Sequence, residues 1–576
     1  MATEKFDVVV VGTGWNGLIG AKTYLEFVPT ANLVLLDEQE SIGGVWSNEK
    51  IYPNLYAQIK YGQFEYSFYP MRKEGITDDG YISGETINRY LQDFAADHGL
   101  TKRTRLRTKV VKVERLPDGA GWRLEIQGNP PIECTKLIYA SGATSHPVIP
   151  SYPRDPGFDA PVIHSSETGT RLLSILDKIE TVTVVGAAKS AYDTVFLLLK
   201  AGKQVNWIIR KEGSGPLALM PPTIFGLVNT MDAVATRMVG ALGSSIMQRT
   251  RGPLFQFLHH TIVGQAVTRT FWGALNSIAE LHAGYSKSTN AMKLRPLPYG
   301  NGIFWANAGL GAASVPNFWK VFHAGDCTVH RTEISMLGEH NTVSLLDGTR
   351  FRTDCVVLCT GFDRSYQPFD ADLQRLCGLA PDPDSRERAK WATMESAAAG
   401  EVDAVLPAIQ KPPLPRPWGK SECGTNKEGP SRHYRRLVAP RLAAQGDRSV
   451  YFPGFIHSIY TPLVSEAQAL WGVTFLLGLH DLPPQPEMER EVARWSVWSR
   501  KRYMVQGQKH AYAIYDFLSY IDMLLADLGI DMTGKRCWLM ELFRPVYPKD
   551  YFGLVDEFRR VQIRGLMAAQ ASVGSG

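Results

Sequence analysis

Residues Phe6–Gly17 read FDVVVVGTGWNG, and the fold turns on them. Phe6–Val11 form a short β-branched run suited to a strand. Gly12, Gly14 and Gly17 follow with the spacing G-x-G-x-x-G, and Leu18–Phe27 carries apolar residues at helical spacing. A second apolar strand, Leu33–Leu36, ends in Asp37. Strand, turn, helix and strand within about 30 residues make the repeating unit of a parallel sheet. The three glycines serve different ends. Gly12 makes the tight turn, Gly14 leaves room for a pyrophosphate, and Gly17 lets helix and sheet pack closely. Trp15 and Asn16 complete the turn. The helix N terminus then offers free N–H groups and the positive end of its dipole. Asp37, with Glu38 beside it, is placed to accept hydrogen bonds from ribose hydroxyls. The turn predicts a dinucleotide site; the alternative is a glycine-rich turn without a ligand.

The same grammar returns later. Thr181–Val185 is a strand, Gly186-Ala-Ala-Lys-Ser-Ala191 the turn, Tyr192–Lys200 a helix and Val205–Ile209 a strand followed by Arg210 and Lys211. Two glycines of the fingerprint have become alanines, so an ordinary strand–helix turn stays open. The small Ala188 and Ala191 still permit close approach, and Ser190 can donate to a phosphate. Arg210 stands where an NAD site carries an acid, and its forked donors suit a 2′-phosphate. That favours NADPH over NADH; the alternative is a solvated basic strand end.

These readings predict an α/β chain with two Rossmann-like dinucleotide-binding domains, the first interrupted by the second. Residues 1–150 form the first part of the first dinucleotide-binding domain, which the resemblance given below assigns to FAD as an FAD-binding domain. Residues 151–360 form an NADPH-binding domain with a helical insertion at about 212–290. Residues 361–480 return to the FAD-binding domain, and 481–576 form a helical C-terminal region. Lys109–Arg115 and Trp122–Ile126 read as a hairpin, and 302–360 as strands. Leu406–Trp418 reads as a Pro-rich surface connector. Gly252–Thr268 lacks formal charge and reads as a buried or interfacial helix. The apolar stripe Ile514, Phe517, Leu518, Ile521, Leu524, Leu525, Leu528 reads as core.

Composition narrows the rest. Hydrophobic residues at 44% and charged residues at 21% are ordinary for a globular chain. A net charge of +5 with no basic block gives no nucleic-acid arm. Seven scattered cysteines without CxxC, and no leader before the first strand, suggest reduced thiols in a cytoplasmic setting. Cys355 and Cys359 read as buried strand residues. The histidines and cysteines lack ligand spacing, so no metal is expected. No apolar run reaches the length of a membrane span.

Several segments resemble the flavin-containing monooxygenases and related class B flavoprotein monooxygenases. Asp37-Glu-Gln-Glu-Ser-Ile-Gly-Gly-Val-Trp46 resembles the family's acid-to-GGxW stretch, which lies along FAD. The resemblance implies FAD contacts at Gly44, Val45 and Trp46, and at Val110 in the TxV triplet from Thr108. Gly186–Ala191 resembles the family's G-x-G-x-S-A motif. Phe158-x-Ala160-x-x-x-His164 resembles its identifying motif, with Ala160 for glycine and Thr168 for the closing aromatic. Tyr451–Phe455 and Glu466–Trp471 resemble the return to the FAD domain and the helix closing over the flavin.

The resemblance implies an NADPH- and O2-dependent flavin monooxygenase of the kind found in secondary metabolism. It would insert one oxygen atom (N-, S- or C-hydroxylation) into a lipophilic small molecule through a flavin hydroperoxide. Its cofactors would be FAD and NADPH. Gln58 is the amide nearest the position where relatives carry asparagine, a candidate hydrogen-bond donor or a plain loop residue. His164 is the second catalytic candidate, against a histidine that satisfies local backbone. The loop Ser47–Pro53 lacks the arginine of Baeyer–Villiger enzymes, so ketone oxidation is the alternative. A reductase without oxygenation and a non-catalytic nucleotide sensor are further alternatives. Peripheral membrane contact and a homodimer stay open.

Overall fold

The computed structural model describes residues 3–117, 119–211, 213–308, 317–363, 366–379, 385–413, 431–533 and 537–574. The chain opens as expected: β1 (Glu4–Val11), α1 (Trp15–Phe27) and β2 (Leu33–Leu36). Val8, Val9 and Val10 are fully buried, as strands covered on both faces require. After β3 (Tyr56–Lys60) come β4 (Thr104–Arg105), β5 (Val110–Arg115), β6 (Trp122–Ile126) and β7 (Asn129–Tyr139). The first sheet runs β4-β2-β1-β7-β6-β5. Its β4, β2, β1 and β7 are parallel, and β7, β6 and β5 form an antiparallel edge.

The second sheet is all parallel. It contains β8 (Val162–His164), β9 (Thr181–Val185) and β10 (Gln204–Ile208), with α2 (Lys189–Lys200) after β9. The chain then leaves the sheet through a short hairpin, β11 (Thr223–Ile224) and β12 (Val228–Asn229), into α3 (Thr230–Val234), α4 (Pro253–His260) and α5 (Ile262–Ala283). It returns as β13 (Cys327–His330) and β14 (Cys355–Leu358), giving the order β8-β14-β9-β10-β13. Later, β15 (Val450–Tyr451) joins β7 in parallel, so the chain closes back on the first sheet.

Helices α6 (Thr461–Leu476), α7 (Gln485–Arg502), α8 (Phe517–Asp527) and α9 (Trp538–Phe543) follow. Every residue of α6 from Pro462 to Leu476 is buried, against α1 on one side and α8 on another. The stripe from Ile514 to Leu528 is core throughout. A strand, Ala511–Ala513, precedes it and pairs with Ile456–Ser458, so the C-terminal region is not purely helical.

Three further expectations need correction. Within 302–360 two stretches are not strands: Gly302–Trp305 and Phe318–Ala324 are helical. Phe318, Trp319 and Phe322 are buried there, the spacing of one helix face rather than of a strand. The segment beginning at Leu406 is not all surface, because Leu406 and Ile409 are fully buried; its part from 414 onward lies outside the described residues. Gly252–Thr268 is not one helix. It breaks at Thr261, whose side chain accepts from Gly264 N–H and starts α5. Cys355 and Cys359 are buried as expected, and burial pushes both thiols up to about 12.

Candidate active site

At the first turn, Gly12 has φ +102°, and a Cβ there would sit 2.4 Å from the Ala140 carbonyl oxygen at the end of β7. A Cβ on Gly17 would come within 1.9 Å of the Gly12 oxygen. The glycines are therefore steric requirements of the turn itself. A second loop lies on it: Gly43 N–H donates to Thr13 O at 3.2 Å, and a Cβ on Gly44 would stand 2.9 Å from the Gly14 Cα. Gly14 caps α1 without a side-chain hydrogen bond, and the first turn of α1 holds no acid. The N terminus of α1 is thus left for an external anion.

Asp37 is placed differently from the simple expectation. Its Oδ2 accepts from both the N–H and the hydroxyl of Thr13 at 2.7 Å, and Oδ1 accepts from Gln39 N–H at 2.9 Å. The acid braces the glycine turn, with lone pairs to spare for a ribose. Glu38 turns away to Lys109 at 3.2 Å. Val45 is half exposed, and Asn88 Nδ2 fixes Trp46 through its carbonyl at 2.7 Å. Val110 is buried in β5. Trp15 is buried edge-on to Phe64 and Tyr66, and its Nε1 has no partner. Asn16 Oδ1 is likewise buried and unpartnered, beside Gly454, where a Cβ would strike the Asn16 amide at 2.5 Å. A cradle that excludes any Cβ, an uncapped helix and unpaired buried polar atoms fit a group carrying a pyrophosphate.

The second turn repeats the geometry. Gly186 has φ +133°, and a Cβ would meet the Cys359 oxygen at 2.2 Å. Ala188 is exposed and caps α2 without a side-chain bond, Ser190 is half-buried, and Ala191 is fully buried. Lys189 pairs with the buried Asp193. Arg210 and Lys211 stand exposed just past β10. Sequence reading missed Arg331. It follows β13, the strand beside β10, and its Nη1 is buried without a hydrogen-bond partner. A basic residue one position past a neighbouring parallel strand was the available signal.

The two catalytic candidates part company. His164 uses both ring nitrogens: Nε2 lies 3.1 Å from the Gly361 carbonyl, and Nδ1 accepts from Ser166 N–H at 3.2 Å. Burial holds it below the usual histidine range, and Phe362 packs edge-on against it. It ties β8 to Gly361, three residues past the end of β14. Gln58 lies on β3 with a buried, unpartnered Oε1. Beyond it Lys60 Nζ reaches Asp232 of α3 at 2.5 Å, and Gln63 Nε2 and Tyr547 OH each donate to the same carboxylate at 2.8 Å.

Asp232 sits beside an apolar cavity of about 100 Å³, whose wall includes Met220, Ile224, Phe271, Leu275, Ile459 and Tyr515. Met220 lies three residues past Leu217, whose N–H bonds Ala187 of the second turn at 3.0 Å. Ile459 lies five residues past Gly454, which abuts Asn16 of the first turn.

Two Rossmann-like turns, each closing a parallel strand against a helix, define a fold with two dinucleotide-binding domains. Residues 57–222 match the family model described as pyridine nucleotide-disulphide oxidoreductase. The described cysteines are all free, so the disulphide of that description has no counterpart among them. The FAD-dependent monooxygenase DEP4 of Alternaria brassicicola is 46% identical over 99% of this chain and 98% of its own. The protein of the same name from Fusarium langsethiae is 46% identical over 97% and 96%. The chain therefore belongs to the FAD-dependent monooxygenases and is an oxidoreductase. The fold is shared with cyclohexanone monooxygenase from Rhodococcus sp. Phi1 bound to NADP+, with a TM-score of 0.57 at 16% identity over 92% and 98% of the two chains. It is shared also with S-allyl-L-cysteine S-oxygenase from Allium sativum, with a TM-score of 0.51 at 14% identity over 98% and 100%.

Proposed function

We propose that this monooxygenase uses NADPH and O2 to insert one oxygen atom into a lipophilic small molecule. The observation that carries the reading is the pair of glycine turns at Gly12 and Gly186, where a Cβ would stand 2.4 and 2.2 Å from the Ala140 and Cys359 carbonyl oxygens, so that each leaves a helix N terminus open to a dinucleotide. FAD reduced by NADPH supplies the oxygen chemistry. The chain's own part is to bind, orient and exclude water.

In this reading residues 1–150 and 361–480 hold FAD. Gly12, Gly14, Asn16 and Gly17 take its pyrophosphate, Asp37 its ribose, and Gly44–Trp46 with Val110 flank it. Residues 151–360 hold NADPH. Gly186, Ala188, Ser190 and Ala191 take the pyrophosphate, while Arg210, Lys211 and Arg331 offer positive charge to the 2′-phosphate. Gln58 presents an amide that can accept a hydrogen bond or, rotated, donate one. His164 is a positioning residue that ties β8 to Gly361. The cavity wall is almost wholly apolar, so an uncharged, apolar group of the substrate matches it.

Purified protein should be yellow, be bleached by NADPH without air, and with air convert members of a panel of lipophilic amines, thioethers, ketones and aromatics. A product heavier by one oxygen atom is expected. Bleaching with no oxygenated product from any panel member would favour a reductase, and no bleaching a nucleotide sensor. An ester from a ketone would mark Baeyer–Villiger chemistry instead of hydroxylation.

A further inference from the structure

Helix α5 is inside out along its first half. Its buried positions there are Gly264 and Thr268, and only from Phe271 and Trp272 onward does the helix turn apolar side chains inward. Its outer face carries Ile262, Val263 and Val267, at 85%, 63% and 48% exposure. A surface helix ordinarily turns its aliphatic side chains inward and its polar ones out. The hairpin tip does the same: Phe225 and Leu227 are 75% and 87% exposed. Phe225 also holds φ +51°, a left-handed conformation unfavourable for an aromatic residue. Both elements flank the apolar cavity, to which the hairpin contributes Ile224 and α5 contributes Phe271 and Leu275.

The charge of this region is equally uneven. Residues 212–300 hold seven arginines and lysines against three acids, and of these Arg237 and Arg249 pair with Asp522, Glu541 and Asp531 outside the segment. Arg251, Arg269 and Lys287 are exposed among them. An exposed apolar surface on a segment that also exposes cations, Arg269 among them on α5 itself, matches an anionic lipid surface, which takes the aliphatic groups below its headgroups and the cations at them. A second copy of the chain would bring the same positive charge against itself.

We infer that the insertion docks on an anionic bilayer through the hairpin tip, Phe225 and Leu227, and the outer face of α5, Ile262, Val263 and Val267. The cavity then lies behind the docked surface. Among the described residues no helix is long and apolar enough to cross a membrane, so the contact is peripheral.

The experiment is co-sedimentation of the full-length flavoprotein with vesicles of phosphatidylcholine alone or mixed with phosphatidylserine. Binding is expected to the mixed vesicles and to weaken as salt is raised. The double variants Phe225→Ser/Leu227→Ser and Ile262→Ser/Val263→Ser should each weaken it by roughly tenfold or more. Flavin content reports independently on folding and on the cofactor reading, because these exposed positions lie outside both turns. No binding to either vesicle would overturn the inference, as would undiminished binding by both variants. A dimer in solution that either variant dissociates, without vesicle binding, would assign the face to a second copy and likewise overturn it.

Discussion

At the scale of single residues, the backbone decides more than the side chains. Gly12 and Gly186 each press against a carbonyl oxygen of the next strand end, Ala140 and Cys359. Replacing Gly12 with valine should therefore abolish flavin retention, read as flavin absorbance per chain after purification. Arg210→Asp should raise the KM for NADPH by about tenfold or more while changing that for NADH little, since a charge-assisted forked pair would be lost. Equal KM changes for both nucleotides would remove Arg210 from the 2′-phosphate. The glycine spacing and the basic strand end were legible from residue type alone. The bracing of Thr13 by Asp37, the satisfaction of His164 and the buried Nη1 of Arg331 were not, because each depends on what a distant segment brings beside it.

Among the elements, α6 shows what burial does to a charge. Glu466 lies on its buried length and accepts from Ser67 N–H at 2.8 Å and Ser67 Oγ at 2.6 Å. Desolvation outweighs these bonds and lifts its carboxyl from 4.5 to about 7. Below about 4.5 the folded and unfolded chains both keep the proton, and stability carries no penalty. Between 4.5 and about 7 the unfolded chain releases it first, so stability falls as pH rises through that window and stays lowered above it. The loss amounts to about 3 kcal/mol. Glu466→Gln should flatten this slope, measured by urea unfolding at several pH values; an unchanged slope would show that other groups set it. In α8, Leu524→Ala should cost about 2–5 kcal/mol, because the side chain is fully buried in a packed core. The α8 stripe could be read from period alone. The reversed face of α5 could not, since Ile262, Val263 and Val267 carry the signature of a core stripe and only the packing shows them facing out.

Across the molecule as a whole, Asp232 ties three distant stretches together: Lys60 at the end of β3 with Gln63 just beyond it, its own insertion helix, and Tyr547 near the C terminus. Asp232→Ala strands a half-buried ammonium and two polar groups. It should cost about 1–3 kcal/mol in chemical denaturation, and loosen the cavity wall that α3 supplies. Bound FAD should raise the melting temperature in proportion to the logarithm of its free concentration, because only the folded chain has the cradle. Residue order was enough to reveal the two βαβ units, their glycine turns and the apolar core, since strand and helix periods and glycine sterics are local properties. Long-range packing was needed to engage His164 and Asp37, to wall an apolar cavity with residues from the insertion and from Ile459, Ile514 and Tyr515, and to leave the outer face of α5 uncovered. Those outcomes depend on contacts between residues far apart in the chain, and a linear pattern does not encode which of them will meet.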